Sequence, residues 1–183
     1  LYWKGQTSEE LLNWQKAAES YAELLSKYPE SEDAQRAQLW LGRSLHQLGR
    51  YSEAIDAYDK ILNNPKKYKR DIEVSAQLYK AESLYEMGQY EKAAENYLRV
   101  SLVYFDPDMG IYALSKAGDS YEKLGRWSDA AIWYRKIIKD YAEPGGEYYK
   151  QKKSEWEPNI EFARRRLERI GAIHTPGGGA GDR

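Results

Sequence analysis

The chain has 183 residues and carries 28 Lys and Arg against 29 Asp and Glu, a formal net charge of −1, a balance that gives no global attraction to nucleic acid or to an anionic membrane. It contains no cysteine, which excludes disulfides, thiolate metal sites and a cysteine nucleophile, and no run of about 18 apolar residues that would cross a membrane. Aromatic residues reach 14%, with 17 Tyr and 6 Trp against 2 Phe, and rings with polar tips suit thin layers whose core lies near solvent.

Read in chain order, the sequence predicts helices in pairs. The chain begins at Leu1 rather than Met, which reads as a trimmed product with room for a signal or membrane anchor upstream. A first helix is expected from Thr7, where Thr7-Ser8-Glu9-Glu10 has capping-box spacing. Leu11, Trp14, Ala18, Tyr21, Leu25 and Tyr28 then follow at steps of three and four until Pro29. On this reading Leu1 to Lys4 is the remnant of a shortened partner helix. Ser31 is expected to cap the next helix, which runs to Leu48. Its partner spans Tyr51 to Asn63 and stops at Asn63-Asn64-Pro65. Lys66 to Arg70 forms a basic connector. The second pair covers Asp71–Glu86 and Tyr90–Tyr104. Asp106-Pro107 reads as an N-cap with proline at the first helical position, opening a third pair that ends with Trp127–Tyr141. Glu143-Pro144-Gly145-Gly146 is a loop, Pro158–Ile170 is a final helix stopped by Gly171, and Thr175–Arg183 is a Gly-rich tail.

One phrase binds these pairs together. Gly49-Arg50-Tyr51-Ser52-Glu53-Ala54-x3-Tyr58 returns as Gly88-Gln89-Tyr90-Glu91-Lys92-Ala93-x3-Tyr97, and again as Gly125-Arg126-Trp127-Ser128-Asp129-Ala130-x3-Tyr134. The glycines at 49, 88 and 125 are 39 and 37 residues apart. Self-similarity at this period marks stacked supersecondary units, which present a surface rather than a catalytic pocket.

Within each unit the pattern resembles the tetratricopeptide repeat. Leu41-Gly42-x2-Leu45 is followed by Ala54-x3-Tyr58, Ala81-x2-Leu84 by Ala93-x3-Tyr97, and Ala117-Gly118-x2-Tyr121 by Ala130-x3-Tyr134. The usual Trp at the fourth position is missing; Gln38, Gln77 and Leu114 stand there. The resemblance implies an all-α, right-handed superhelix of antiparallel helix pairs. Its parts would be a partial repeat over 1–30, repeats over 31–65, 71–105 and 107–142, a loop insert over 143–155, a capping helix over 156–172 and a tail over 173–183. The phrase Tyr28-Pro29-Glu30-Ser31 followed by Ala37-Gln38-Leu39-Trp40-Leu41-Gly42 is similar to bacterial cell-envelope members, including the partner of the Tol–Pal system and outer-membrane assembly lipoproteins. That likeness implies a non-enzymatic adaptor in the periplasm or on the periplasmic face of the outer membrane.

In such repeats the first helix of each pair lines the inner curve. By position this names Arg36, Leu39, Trp40, Arg43 and His46, then Ser75, Leu78, Tyr79, Glu82, Tyr85 and Glu86, then Tyr112, Ser115, Lys116, Asp119, Glu122 and Lys123. Aromatic anchors flanked by charge are what peptide recognition uses. The acids Glu82, Glu86, Asp119 and Glu122 resist burial and predict a partner segment with basic residues. The clamp by which some relatives hold chaperone C-termini needs Lys and Asn where this chain has Leu39 and Arg43, so chaperone tails are not the expected ligand.

Chemistry finds little support. His46 and His174 lack any spaced ligand or nucleophile motif, Gly177-Gly178-Gly179 precedes no phosphate-binding helix, and no Gly-x-Ser-x-Gly is present. No catalytic residue, metal or cofactor is expected. The basic runs Lys66–Arg70, Lys150–Lys153 and Arg164–Arg166 read as solvated faces, not as a nucleic-acid site. The expected partner is a protein segment or a subunit of a larger complex. A self-assembling structural subunit using Leu1, Tyr2, Trp3 and Trp14, or an accessory region of a larger protein, are the other readings.

Overall fold

The structure, a computed structural model, describes residues 1–64, 68–151 and 154–174. Pro65 to Lys67, Lys152, Lys153, the side chains of Ala172, Ile173 and His174, and residues 175–183 lie outside the described residues, and with them the expected stop at Pro65, parts of two basic runs and the Gly-rich tail. Among the described residues all regular structure is helical: α1 (Tyr2–Glu10), α2 (Trp14–Lys27), α3 (Ala34–Gln47), α4 (Tyr51–Leu62), α5 (Arg70–Glu86), α6 (Tyr90–Leu102), α7 (Pro107–Lys123), α8 (Trp127–Ile137) and α9 (Glu157–His174). Two compact units divide the chain, residues 1–96 and 97–183, with the division inside α6.

The turns inside the pairs follow one design. Gly49, Gly88 and Gly125 take φ of +73°, +73° and +70°, the left-handed region glycine enters without a Cβ penalty. The residue after each closes back on the helix it leaves: Arg50 N–H donates to Leu45 O, Gln89 N–H to Leu84 O and Arg126 N–H to Tyr121 O, each at 2.9 Å. These are Schellman-type ends, which satisfy carbonyls the helix leaves open.

The same register reveals a fourth pair at the start. Asn13 N–H donates to Ser8 O at 2.7 Å, and Leu12 sits where the three glycines sit, at φ +54°. The helix expected to begin at Thr7 is therefore two helices. Thr7 lies inside α1 and forms no capping box; the cap belongs to Asn13, whose side chain accepts from Lys16 N–H at 3.1 Å. A left-handed leucine costs roughly 1–2 kcal/mol, and Leu12 is 71% exposed, so its side chain returns little through burial. Leu12→Gly is expected to raise unfolding stability by about 1 kcal/mol, read as an upward shift of the urea midpoint. An unchanged or lowered midpoint would show that the turn is not strained.

Pairing within the units rests on close approach. Gly5, Gly42 and Gly118 face Tyr21, Tyr58 and Tyr134, each sixteen residues further on, and a Cβ at any of the three glycines would overlap the facing ring. All three tyrosines are fully buried. Their rings fill the gap that the missing side chain leaves, at the close-packed density of protein interiors.

In the first unit, Tyr2, Ala17, Tyr21, Leu24, Ala34 and Ala37 form one apolar cluster, and Leu39, Leu45, Ala54, Tyr58, Ile61 and Ile72 form the next. Ser31 does not cap α3, which starts at Ala34 after an Asp33 that makes no side-chain cap bond. The Gln residues that replace the usual Trp are buried and bonded: Gln38 Nε2 donates to Ala57 O at 3.0 Å, and Gln77 Nε2 to Asn96 Oδ1 at 2.6 Å. Burial of an amide is tolerated here because its polar atoms find partners.

In the second unit the expected cap is present, with the Asp106 carboxylate accepting from Met109 N–H at 2.8 Å. After α8 the backbone widens into a π-helical turn over Ile138–Ala142, which frees Asp140 O to accept from Tyr148 N–H at 2.8 Å. The segment expected as a plain loop folds back and is held by rings: Tyr141 lies 4.7 Å from Tyr148 and 4.9 Å from Trp156. Trp156 is buried, and its indole donates to Asp108 Oδ1 at 2.8 Å. Final helix α9 packs Ile160, Ala163 and Ile170 on this core. It runs past Gly171, which does not stop it.

Candidate functional site

Setting Gly5, Gly42, Ala81 and Gly118 as a common zero aligns the first helix of every pair. Two residues earlier stand Trp3, Trp40, Tyr79 and Lys116. One residue later stand Gln6, Arg43, Glu82 and Asp119, and four later Glu9, His46, Tyr85 and Glu122. At helical spacing these positions share one face. Trp40, Arg43, His46, Tyr79, Glu82, Tyr85, Lys116, Asp119 and Glu122, all proposed from sequence, hold these positions, together with Trp3 and Glu9, which were missed because Leu1 to Lys4 read as a remnant and Glu9 as part of a capping box.

In the first unit this face is aromatic and mixed in charge. Trp3 is 76% exposed. The Arg43 guanidinium lies 5.0 Å from the centre of the half-buried Trp40 ring, a cation–π arrangement. Tyr79 is half-buried on Tyr58, with ring centres 6.1 Å apart, and Tyr85 meets Tyr90 edge-on at 5.2 Å. Arg36 and Glu86 are exposed, while Ser75 spends its hydroxyl on Asp71 O at 2.8 Å. Leu39 and Leu78 are buried and belong to the packing, not to the open face. A helix at this crossing buries its residues three before the zero position, which the sequence pattern alone did not separate from those two before it.

Within the first helices of the pairs, a buried serine that the sequence reading missed recurs at one register position. Ser44, Ser83 and Ser120, all fully buried, donate to the carbonyls of Trp40, Tyr79 and Lys116 at 2.9, 3.0 and 2.8 Å. Ser44 Oγ also lies 3.2 Å from Glu9 Oε1, and Ser83 Oγ 2.9 Å from His46 Nδ1. The serines repeat with the same spacing as the turn glycines, and that repetition was the available signal. Burial raises the pKa of the Glu9 carboxyl, with Ser44 and Arg43 opposing it. Burial lowers that of His46, with Glu86 opposing. A neutral imidazole is thus the form that this packing favours.

The second unit is different. Lys116 Nζ lies 5.7 Å from the Tyr112 ring. Asp119 and Glu122, proposed as open acids awaiting a basic partner, are matched from within the chain by Arg166 of α9. Its Nη2 is 3.2 Å from Asp119 Oδ1, and its Nη1 3.3 Å from Glu122 Oε2. Glu122 also accepts from Tyr134 OH at 2.8 Å. The Glu122 side chain is only 7% exposed and that of Asp119 16%. Ser115 is buried.

Among the described residues no three His, Asp or Glu are grouped to hold a metal ion. What the arrangement offers is area, aromatic edges and fixed charge.

Residues 4–68 and 78–145 match the family model for the tetratricopeptide repeat. Among curated proteins no sequence match is found. Two solved structures resemble the chain. One is a tetratricopeptide repeat protein from Parabacteroides merdae ATCC 43184, with TM-score 0.65 and 19% identity, over 93% of this chain and 62% of that one. The other is MamA from MSR-1, with TM-score 0.53 and 16% identity, over 91% of this chain and 94% of that one. The chain thus spans about 62% of the length of the Parabacteroides merdae protein. At these identities the likeness is one of fold.

Proposed function

The chain belongs to the tetratricopeptide repeat family, and from that premise we propose that it is a non-enzymatic scaffold that docks a segment of a partner protein along the first helices of its pairs, within a bacterial cell-envelope complex. Proteins of this family are in general interaction modules rather than catalysts, because stacked helix pairs build extended surfaces and few closed pockets. The observation that carries the docking surface is the row of Trp3, Trp40 with Arg43, and Tyr79 at matching register in the first unit. Rigid aromatics supply contact area at little entropic cost, and rim charges orient the ligand.

The envelope location rests on the likeness of the Tyr28-Pro29-Glu30-Ser31 and Ala37 to Gly42 phrases to envelope members of the family. Among the described residues no helix is long and apolar enough to cross a membrane. The test is a pull-down from native envelope extract with the chain beside a Tyr79→Ala, Glu82→Lys variant. Asp119 is left untouched, because it anchors Arg166. A partner retained by the parent and reduced at least tenfold by the variant is the expected result. A partner held equally by both would place docking on another face. A partner found only in cytoplasmic extract would remove the envelope.

A further inference from the structure

We infer that the cleft between α7 and α9 in the second unit receives an acidic segment of the partner protein, its carboxylate held by Lys116 and Arg165 and a neighbouring apolar side chain resting against Tyr112 and Phe162. The inference rests on the docking reading above and deepens it, and it reverses the charge that the sequence predicts for the ligand.

The cleft measures about 440 Å³, within the range of ligand-binding clefts, roughly 300–1,000 Å³. Tyr112, Lys116 and Asp119 line it from α7, and Asn159, Phe162 and Arg165 from α9. The acids of this face are spent. Asp119 and Glu122 are largely covered and share Arg166, and Glu122 also takes the Tyr134 hydroxyl. A basic ligand side chain would have to displace Arg166 to reach them, and Arg166 is further held 4.9 Å over the Phe162 ring.

The exposed cation of the cleft is Arg165. Three arginines follow one another on α9, and each faces a different neighbour. Arg164 pairs with Glu161 and stands 3.7 Å from Glu157. Arg166 pairs with Asp119 and Glu122. Arg165 lines the cleft, is exposed, and makes no ion pair among the described residues. Lys116 lies across from it on α7, held over Tyr112. The mouth of the cleft is also the first turn of α9, where Pro158 and Asn159 stand and the helix dipole presents its positive end. Two cations, a positive helix end and two ring surfaces fit a carboxylate beside an apolar residue. They do not fit a Lys or Arg side chain.

The experiment is selection of phage-displayed random twelve-residue peptides on the full chain, with affinities of the enriched peptides measured on the parent, on Lys116→Glu with Arg165→Glu, and on Glu82→Lys. Expected is enrichment of Asp and Glu, with affinities that fall at least tenfold in the double variant and weaken with added salt as screening requires. Circular dichroism of the double variant confirms that it is folded. Enrichment of Lys and Arg that Glu82→Lys abolishes would overturn the acidic ligand while leaving the docking surface in place. Acidic peptides bound equally by the double variant would overturn the cleft. Failure to enrich any peptide would overturn the inference, and the envelope pull-down then decides separately whether the docking reading survives.

Discussion

Tyr58→Ala is expected to destabilise the first unit by about 3–5 kcal/mol, the cost of emptying a fully packed aromatic site. Tyr58 is completely buried, its ring fills the space opposite Gly42, and Tyr79 rests on it. Removing the ring therefore uncouples α3 from α4 and withdraws the support of α5 together. The hydroxyl behaves differently from the ring. Tyr58 OH is buried and has no hydrogen-bond partner among the described residues, and leaving such a group unpaired costs roughly 1–3 kcal/mol. Tyr58→Phe is therefore expected to be neutral or to stabilise by about 1 kcal/mol. The equivalent Tyr134 donates to Glu122 at 2.8 Å, and its replacement by Phe should cost about 1–2 kcal/mol. Urea unfolding of the three variants separates these cases. Equal effects of the two Tyr→Phe changes would show that the hydroxyl environments do not differ.

Arg166→Ala is expected to cost about 3 kcal/mol, at the lower end of what breaking a buried ion pair costs, because its side chain is 26% exposed and partly screened. The variant leaves Asp119 and Glu122 close together without their shared cation and removes the planar group lying over Phe162. Its effect should be local. Through Phe162, whose ring meets Tyr134 edge-on at 5.8 Å, α9 would loosen from α7 and α8. Hydrogen exchange then rises over residues 157–170 and stays unchanged over α3 and α4. A double variant that also carries Asp119→Asn and Glu122→Gln should recover part of the loss, since the uncompensated acids are what make the single change costly. A single variant as stable as the parent would show that the network is surface decoration, and would return the two acids to the list of free ligand contacts.

The site was legible in part. Register along the first helices could be read as soon as the repeat was seen, because side chains four residues apart on a helix share a face whatever the helix packs against. Which of those side chains remain open could not. Leu39 and Trp40 are adjacent in sequence, yet one is buried and the other half-exposed. Asp119 and Glu122 read as open acids because their partner lies 47 residues from Asp119, on a helix whose charged face looked merely solvated.

The sequence by itself determined the helix pairs, the turns at Gly49, Gly88 and Gly125, and the cap at Asp106. Each depends on φ preference, on a missing Cβ or on a bond spanning a few residues, and such terms act the same in any context. Only the tertiary structure decided that Leu12 would be held in a glycine's conformation to complete a first pair, that Trp156 would reach back 48 residues to Asp108, and that Arg166 would close over the acids of α7. These outcomes follow from burial and ion pairing between distant segments. Their free energy exists only once the chain has brought those segments together and excluded water from between them.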